Sequence, residues 1–172
     1  MIIGIPKEIK PNEYRVASVP ESVMSLVTDG HTVLVEKDAG KGSGYSDEEY
    51  EAAGASITGK EELFRKSEMI YKVKEFFPEE FGYFREGLVV FTYIHSNAYP
   101  QQTEEMLKSR IIGIAYEDIE VDGKYPLLSP MSEIAGKGGF LAASQFLQSI
   151  HGGSGLLLMD VSGQRKPIVG II

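Results

Sequence analysis

Short apolar runs alternate with amphipathic stretches along this chain, and the alternation predicts the elements of a sheet. Five runs of four to seven residues have the β-branched and aromatic composition of buried strands. Amphipathic stretches stand between most of them, which is typical of βα units. We therefore predict an α/β fold, a doubly wound and mostly parallel sheet with flanking helices, with strands at Ile2–Ile5, Thr32–Glu36, Met69–Val73, Leu88–Ile94 and Ile111–Ala115.

Helix boundaries are marked by proline, glycine and capping residues. Pro20 fits the first turn of a helix that Gly30 ends. Capping boxes that begin at Ser46 and Thr58 predict two further helix starts. Another helix is expected over Thr103–Lys108, before the fifth strand.

Three parts of the chain differ in pattern. Residues 1–130 hold the five strands and are expected to form a flavodoxin-like domain, whereas residues 131–155 hold a long predicted helix, Ser132–Ile150, and a glycine-rich break. In residues 156–172 a last apolar run, Pro167–Ile172, predicts the start of another strand. A lone apolar strand would leave its backbone groups unpaired, so we expect the protein to continue past this run.

Composition and charge exclude several classes of function. Acidic residues outnumber basic ones by 25 to 17, the net charge is −8, and no lysine and arginine cluster could follow a phosphate backbone. Without cysteine, and with three histidines far apart, no metal site is expected. No apolar run approaches the roughly 18 residues of a membrane span, and no signal peptide is visible. We expect a cytoplasmic protein with neither a nucleic-acid nor a membrane partner.

A polar loop that contains Arg15 follows the first predicted strand. Ligands of open α/β sheets bind beyond the carboxyl ends of the strands, which is where this loop lies. A guanidinium offers paired N–H donors in the plane that a carboxylate accepts, so Arg15 is a candidate for binding a substrate carboxylate. The alternative is a solvated loop arginine.

Lys74 and His95 follow the third and fourth predicted strands, at the same edge of the sheet. Lys74 could bind a carboxylate or polarise a carbonyl oxygen. His95 could transfer a proton near neutral pH or polarise a carbonyl. A solvated lysine and a structural histidine are the alternatives. The convergence of Arg15, Lys74 and His95 on one edge favours a common site.

Two further segments have a composition found in ligand-binding loops and helix starts. Ser132 stands at the predicted start of the long helix, where it can cap the helix and where exposed N–H groups can receive a polar or anionic group. The segment Gly40–Gly44 is glycine-rich, but it matches neither the phosphate-loop ending nor G-x-G-x-x-G. We predict that it is a structural turn.

An ordered set of motifs gives the chain a resemblance to a known family. Several of these motifs are long and polar, which core packing would not dictate, and together they span nearly the whole chain. They are Ile5–Glu8, Asn12–Ala17, Val73–Glu75, Phe91–His95, Ala115–Glu117 and Pro130–Gly136. On these residues the chain resembles the amino-terminal part of the alanine dehydrogenase and pyridine nucleotide transhydrogenase family.

The resemblance implies an activity and a role for each candidate residue. It implies an oxidoreductase that interconverts L-alanine with pyruvate and ammonia using NAD, and that assembles as a homo-oligomer, a hexamer. Arg15 and Lys74 would bind the substrate carboxylate and carbonyl oxygen, and His95 would act as acid and base. Met131 would line the substrate side of the cleft, and Ser132 the side of the nicotinamide cofactor.

The resemblance also implies the domain plan. Residues 1–130 would be the substrate domain, 131–155 the connection, and 156–172 the beginning of a Rossmann domain that binds NAD. In the family an aspartate of that domain takes part in catalysis, and no position of this chain can be assigned to it. We therefore expect the chain alone to be inactive.

Three alternatives stay open at this point. The nucleotide-binding subunit of proton-translocating transhydrogenase shares the amino-terminal fold but needs no amino-acid site. A saccharopine dehydrogenase would need a roomier pocket, and a non-catalytic module could sense a small carboxylate. Ser96, Asn97 and Ser129 depart from the residues usual in the family, which leaves the identity of the amino-acid substrate open.

Overall fold

The computed structural model of the protein describes residues 1–165 and 168–170, which belong to two compact units. The first unit is Met1–Ile119 and the second is Glu120–Ile172. The division into functional parts near residues 130 and 155 stays a prediction.

Six parallel strands form the sheet of the first unit. They are β1 (Ile2–Ile5), β2 (Thr32–Glu36), β3 (Ser56–Thr58), β4 (Met69–Tyr71), β5 (Val89–Thr92) and β6 (Ile112–Ala115). The order across the sheet is β3-β2-β1-β4-β5-β6, with parallel pairing throughout. All five predicted strands are confirmed, in the flavodoxin-like order, and β3 extends that sheet at one edge.

The helices of the first unit cover the sheet between successive strands. They are α1 (Pro20–Thr28), α2 (Asp47–Ala52), α3 (Lys60–Lys66), α4 (Pro78–Phe81) and α5 (Pro100–Lys108). Two buried apolar clusters pack against the sheet. Val33 and Val35 belong to one cluster and Leu34 to the other, because successive residues of a strand point to opposite faces. The sheet is therefore buried on both faces, as in other doubly wound folds.

The predicted helix starts have different outcomes. Pro20 begins α1, and the capping box at Ser46 is confirmed: Glu49 N donates to Ser46 Oγ over 3.4 Å, and Ser46 N to the Glu49 carboxylate over 2.7 Å. The helix predicted after Thr58 is confirmed, since α3 begins at Lys60, but the capping box is wrong because Gly59 is the cap. Thr58 pairs with β2 as the last residue of β3, and its hydroxyl donates to Glu62 over 3.0 Å. Strand pairing prevails there over local capping.

The second unit contains the longest described helix, α6 (Ser129–Phe146). It begins three residues before the predicted start because Pro130 occupies its first turn, so Leu128 is the cap and Ser132 is not. None of its residues is buried. Of the predicted last strand, Pro167, Ile171 and Ile172 lie outside the described residues, and 168–170 form no regular element.

No helix within residues 1–165 and 168–170 combines the length and the apolar character needed to cross a membrane.

Candidate functional site

The candidate site begins at the carboxyl ends of three neighbouring strands. β1, β4 and β5 lie side by side in the sheet and run in the same direction. Arg15 lies in the loop after β1, Lys74 in the segment after β4, and His95 in the segment after β5. The fold therefore brings these three segments to one edge of the sheet.

The backbone of Lys74 is held on both sides by buried side chains. One carboxylate oxygen of Glu8 accepts hydrogen bonds from Val73 N over 2.6 Å and from Lys74 N over 3.2 Å. On the other side, the Thr92 hydroxyl donates to the carbonyl oxygen of Lys74 over 2.8 Å. Lys74 is thus fixed between the β1 loop and the end of β5.

A buried lysine neutralises the carboxylate that holds Lys74. Lys72 Nζ lies 3.2 Å from Glu8 Oε2 and 3.2 Å from Glu80 Oε2, and all three residues are buried. Burial raises the pKa of the Glu8 carboxyl, while the charge of Lys72 and the hydrogen bonds from the backbone oppose that rise. Glu80 also accepts from Phe77 N over 3.1 Å, so the network holds two points of the segment after β4.

The backbone at His95 is held by a second carboxylate. Glu117 accepts from His95 N over 2.5 Å and from Ile94 N over 3.2 Å. Its Oε1 lies 3.6 Å from Nδ1 of the His95 ring. The backbone of His95 has φ of +49°, a left-handed conformation that residues other than glycine seldom adopt. Its ring stacks on that of Tyr93, with the ring centroids 5.6 Å apart.

Arg15 is held by a carboxylate from its own loop. Its Nε and one terminal nitrogen donate to the two oxygens of Glu13 over 2.8 and 2.6 Å, and the Arg15 backbone N also donates to Glu13. The hydrogen bond from Arg15 lowers the pKa of Glu13, and the charge of Lys74 adds to the effect. Glu13 is thus an electrostatic neighbour of both candidate cations.

Tyr93 connects the electrostatic surroundings of Arg15 and His95. Burial raises the pKa of Tyr93, the positive charge of Arg15 lowers it, and the negative charge of Glu117 raises it. Arg15 and Glu117 therefore both act on Tyr93, and the same tyrosine stacks on His95.

Two of the candidates, Arg15 and His95, line different cavities at this edge of the sheet. Arg15 lines one of about 300 Å³, together with Lys10, Glu13 and other residues of the β1 and β2 loops. His95 lines another of about 300 Å³ with Glu117. The three candidates share an edge and electrostatic neighbours, but Arg15 and His95 border different cavities.

Met131 and Ser132 belong to the second unit and are described within it. Both lie in the first turn of α6, where Met131 is half-buried and Ser132 is exposed. Their roles toward substrate and cofactor stay predictions.

Sequence reasoning missed the residues that position the candidates. Glu8, Thr92 and Glu117 hold the backbone of the site segments through hydrogen bonds, and none of them was selected as a site residue. All three lie inside the motifs that carried the family resemblance. Each of these motifs contains a polar residue, and that was the available signal. No rule of sequence spacing, however, shows that Glu8 contacts Lys74, which lies 66 positions further along the chain.

Together the fold and this edge define a class: an α/β domain whose parallel sheet presents two cations and an imidazole beyond its strand ends. Such groups can bind a small carboxylate and move a proton near its carbonyl. Among the described residues, no group of three or more His, Asp or Glu is arranged to hold a metal ion.

Comparison with known proteins places the chain in a family. The family model "Alanine dehydrogenase/PNT, N-terminal domain" matches residues 4–135, so the chain belongs to this family. The resemblance seen in the motifs is confirmed.

The relatives and solved structures agree with this assignment. An alanine dehydrogenase of Staphylococcus haemolyticus is 49% identical over the whole chain, which covers 46% of that protein. A solved L-alanine dehydrogenase superposes with a TM-score of 0.87 at 40% identity, covering 96% of this chain and 46% of that one. A transhydrogenase from Sinorhizobium meliloti superposes with a TM-score of 0.65 at 34% identity, covering 68% of this chain and 34% of its own. The chain thus spans about half the length of the curated relatives it matches.

Proposed function

We propose that this chain is the substrate-binding part of an NAD-dependent alanine dehydrogenase, which interconverts L-alanine with pyruvate and ammonia. One observation carries the proposal: Arg15, Lys74 and His95 follow adjacent parallel strands in a chain that aligns over its whole length with alanine dehydrogenases. These are the side chains that a small keto acid needs, namely a planar donor for the carboxylate, a second cation and a proton carrier.

In the proposed site Arg15 binds the substrate carboxylate. Glu13 now occupies the paired donors of the guanidinium with hydrogen bonds of 2.8 and 2.6 Å. A substrate carboxylate that takes this place keeps the same two-point geometry, which fixes the plane of the substrate. Lys74 then neutralises the carboxylate and polarises the keto oxygen from a backbone held by Glu8 and Thr92.

His95 is the proposed acid and base. It donates a proton to the keto oxygen during amination and removes one in the opposite direction. The Glu117 carboxylate lies 3.6 Å from Nδ1 of the ring. The backbone contributes to this arrangement, because Glu117 also accepts a hydrogen bond from the peptide N–H of His95.

The residues of this chain account for only part of the proposed cofactor binding. When bound, NAD would supply the hydride acceptor for the oxidation of alanine, and NADH would supply the hydride for the reverse reaction. The sequence contains no G-x-G-x-x-G, so the phosphate groups of NAD are assigned to chain outside these residues. Ser132, exposed in the first turn of α6, is the proposed contact with the cofactor, and Met131 the proposed contact with the substrate.

The properties of the whole protein are part of the same proposal. We propose a Rossmann domain that begins in residues 156–172, a homo-oligomer, specifically a hexamer, and a cytoplasmic location. Each rests on the family resemblance, because the chain covers only 46% of its Staphylococcus haemolyticus relative.

The test uses the full-length protein and its NADH production. L-alanine should support NADH formation far better than glycine or serine, and pyruvate with ammonia should consume NADH. Lys74→Ala and His95→Ala should each lower turnover by orders of magnitude. Lys66→Ala is the matched control, because Lys66 pairs with Glu62 on the exposed side of α3. Near-normal turnover in both site variants would refute the assignment.

A transhydrogenase subunit is the second candidate, favoured by the match to the Sinorhizobium meliloti protein. It predicts hydride exchange between NADH and an NADP analogue without any amino acid. Exchange without alanine-dependent turnover would replace the first proposal with this one.

A further inference from the structure

The segment that carries Lys74 has little regular structure of its own. β4 ends at Tyr71, and α4 begins only at Pro78. Pairing with β5 continues for two residues, with hydrogen bonds from Lys72 N to Phe91 O and from Tyr93 N to Val73 O over 3.1 and 3.3 Å. Beyond Val73, hydrogen bonds from side chains hold the backbone in place of strand pairing.

Two of those side chains act on the Lys74 peptide groups themselves. Glu8 accepts from the Lys74 N–H over 3.2 Å, and Thr92 donates to its carbonyl oxygen over 2.8 Å. Glu8 is 8% exposed and Thr92 is fully buried, so water does not compete for these hydrogen bonds. Because both peptide groups are fixed, the direction of the Cα–Cβ bond of Lys74 is fixed as well.

We infer that Glu8 and Thr92 form a backbone clamp that positions the ammonium group of Lys74 for the substrate. The inference rests on the proposed role of Lys74. Thr92 is fully buried and its hydroxyl is directed at the Lys74 carbonyl, so it acts as a positioning residue and not as a catalytic one. Lys72 neutralises the clamp by pairing with Glu8, which reduces the cost of burying that carboxylate.

A long flexible side chain makes such a clamp necessary. Lysine has four rotatable methylene groups and binds as a point charge, so it has less built-in direction than arginine. A shift of about 1 Å at a reacting group can cost on the order of a hundredfold in rate. Fixing the backbone keeps the Cα and Cβ atoms of Lys74 in place, so that backbone movement no longer displaces the ammonium group.

The first test compares Thr92→Val with Thr92→Ser in the full-length protein. Valine keeps the size of threonine and removes the donor to Lys74, whereas serine keeps the hydroxyl. We expect Thr92→Val to raise the KM for pyruvate and lower kcat, with kcat/KM down by about tenfold or more, while the KM for NADH is unchanged. Thr92→Ser should recover most of kcat/KM. Equal activity of the two variants would overturn the clamp.

The second test asks whether Thr92 acts through Lys74. Thr92→Val is combined with Lys74→Ala, and kcat/KM is measured at high enzyme concentration. The clamp predicts that Thr92→Val has no further effect once the ammonium is gone, because both changes remove the same interaction. The same fold-loss in both backgrounds would mean a merely structural role and would overturn the inference.

Should Thr92→Val not fold, a pair of double variants tests the Glu8 side instead. Glu8→Gln/Lys72→Met keeps a carbonyl acceptor for the Lys74 N–H and removes the lysine that would face the amide. Glu8→Ala/Lys72→Met is its match without the acceptor. The first should retain at least several-fold more activity than the second, and equal activity would overturn the clamp.

The outcomes separate this inference from the proposed function. If Lys74→Ala keeps near-normal turnover, the proposed role of Lys74 fails, and the clamp fails with it. If Lys74→Ala is inactive while Thr92→Val is fully active, only the clamp fails.

Discussion

Lys74 and His95 are held differently from Arg15, although all three lie at one edge of one sheet. For the first two, carboxylates from other segments, Glu8 and Glu117, accept the backbone N–H groups. Arg15 instead pairs through its own side chain with Glu13, two residues away. The side chain of Arg15 is 44% exposed, whereas Glu8 is buried.

This difference suggests that the site has a rigid half and an adaptable half. Buried hydrogen bonds to charged acceptors are costly to lose, because the remaining donor is stranded away from water. An ion pair with one exposed partner, such as Arg15 at 44% beside Glu13 at 9%, contributes on the order of 1 kcal/mol and can exchange with a ligand. The backbones of Lys74 and His95 are therefore held in place, and we propose that Arg15 can exchange Glu13 for a substrate carboxylate.

The largest effect should come from the rigid half, with Glu117→Ala. This change strands the N–H groups of Ile94 and His95 and leaves the left-handed conformation of His95 without its acceptor. We expect a loss of about 1–3 kcal/mol in the free energy of unfolding and at least a tenfold lower turnover. Thermal melting and initial rates of the full-length protein measure the two.

Glu117→Gln is the matched control for that change. Its carbonyl oxygen can still accept from the His95 N–H, so stability should largely return while turnover stays low for want of the charge beside the ring. Equal melting temperatures for the alanine and glutamine variants would show that Glu117 does not hold this backbone.

A smaller effect is expected in the adaptable half, with Gly42→Ala. A Cβ at Gly42 would lie 2.8 Å from the backbone oxygen of Tyr14, so the loop that carries Arg15 must move. The KM for pyruvate should rise several-fold with little change in melting temperature. Gly82→Ala is the control, because nothing lies within 4 Å of its added Cβ and its φ of −62° suits alanine. An unchanged KM for Gly42→Ala would show that this turn does not support the Arg15 loop.

The smallest effect concerns pH and the ion pair of Glu13. Arg15 lowers the pKa of Glu13, so the stabilisation is present above the ordinary carboxyl pKa of about 4.3 and is lost as pH falls through the lowered value. Glu13→Gln should cost on the order of 1 kcal/mol at pH 7, since Arg15 is 44% exposed while Glu13 is 9% exposed, and less at low pH. Urea unfolding at both pH values measures this, and a larger cost at low pH would contradict the sign.

The sequence was sufficient for five of the six strands of the sheet and for the edge where its candidates lie. Apolar runs such as Thr32–Glu36 identify buried strands because burial on both faces demands continuous apolar residues. β3 was missed because it has three residues and none of them is buried, so it carries no such pattern. Thr58 was misassigned because its pairing with Glu36 on β2 is a long-range contact that local capping rules cannot include.

The supporting contacts of the site lay beyond the sequence for a similar reason. Glu8 reaches Val73 and Lys74, and Glu117 reaches His95, across distances along the chain that only the fold closes. Residue chemistry identified the cation and the imidazole. It could not identify the carboxylates that hold them, since acidic residues are common on any surface.

The most direct measurement is a crystal structure of the full-length protein with bound pyruvate. We predict that the pyruvate carboxylate replaces Glu13 on the Arg15 guanidinium and contacts Lys74, with the keto oxygen within hydrogen-bonding distance of His95. We also expect an unmoved backbone at Lys74 and a shifted Glu13 side chain. Pyruvate bound away from these three residues would contradict a shared site. So would pyruvate that lies in one cavity and contacts only Arg15 or only His95.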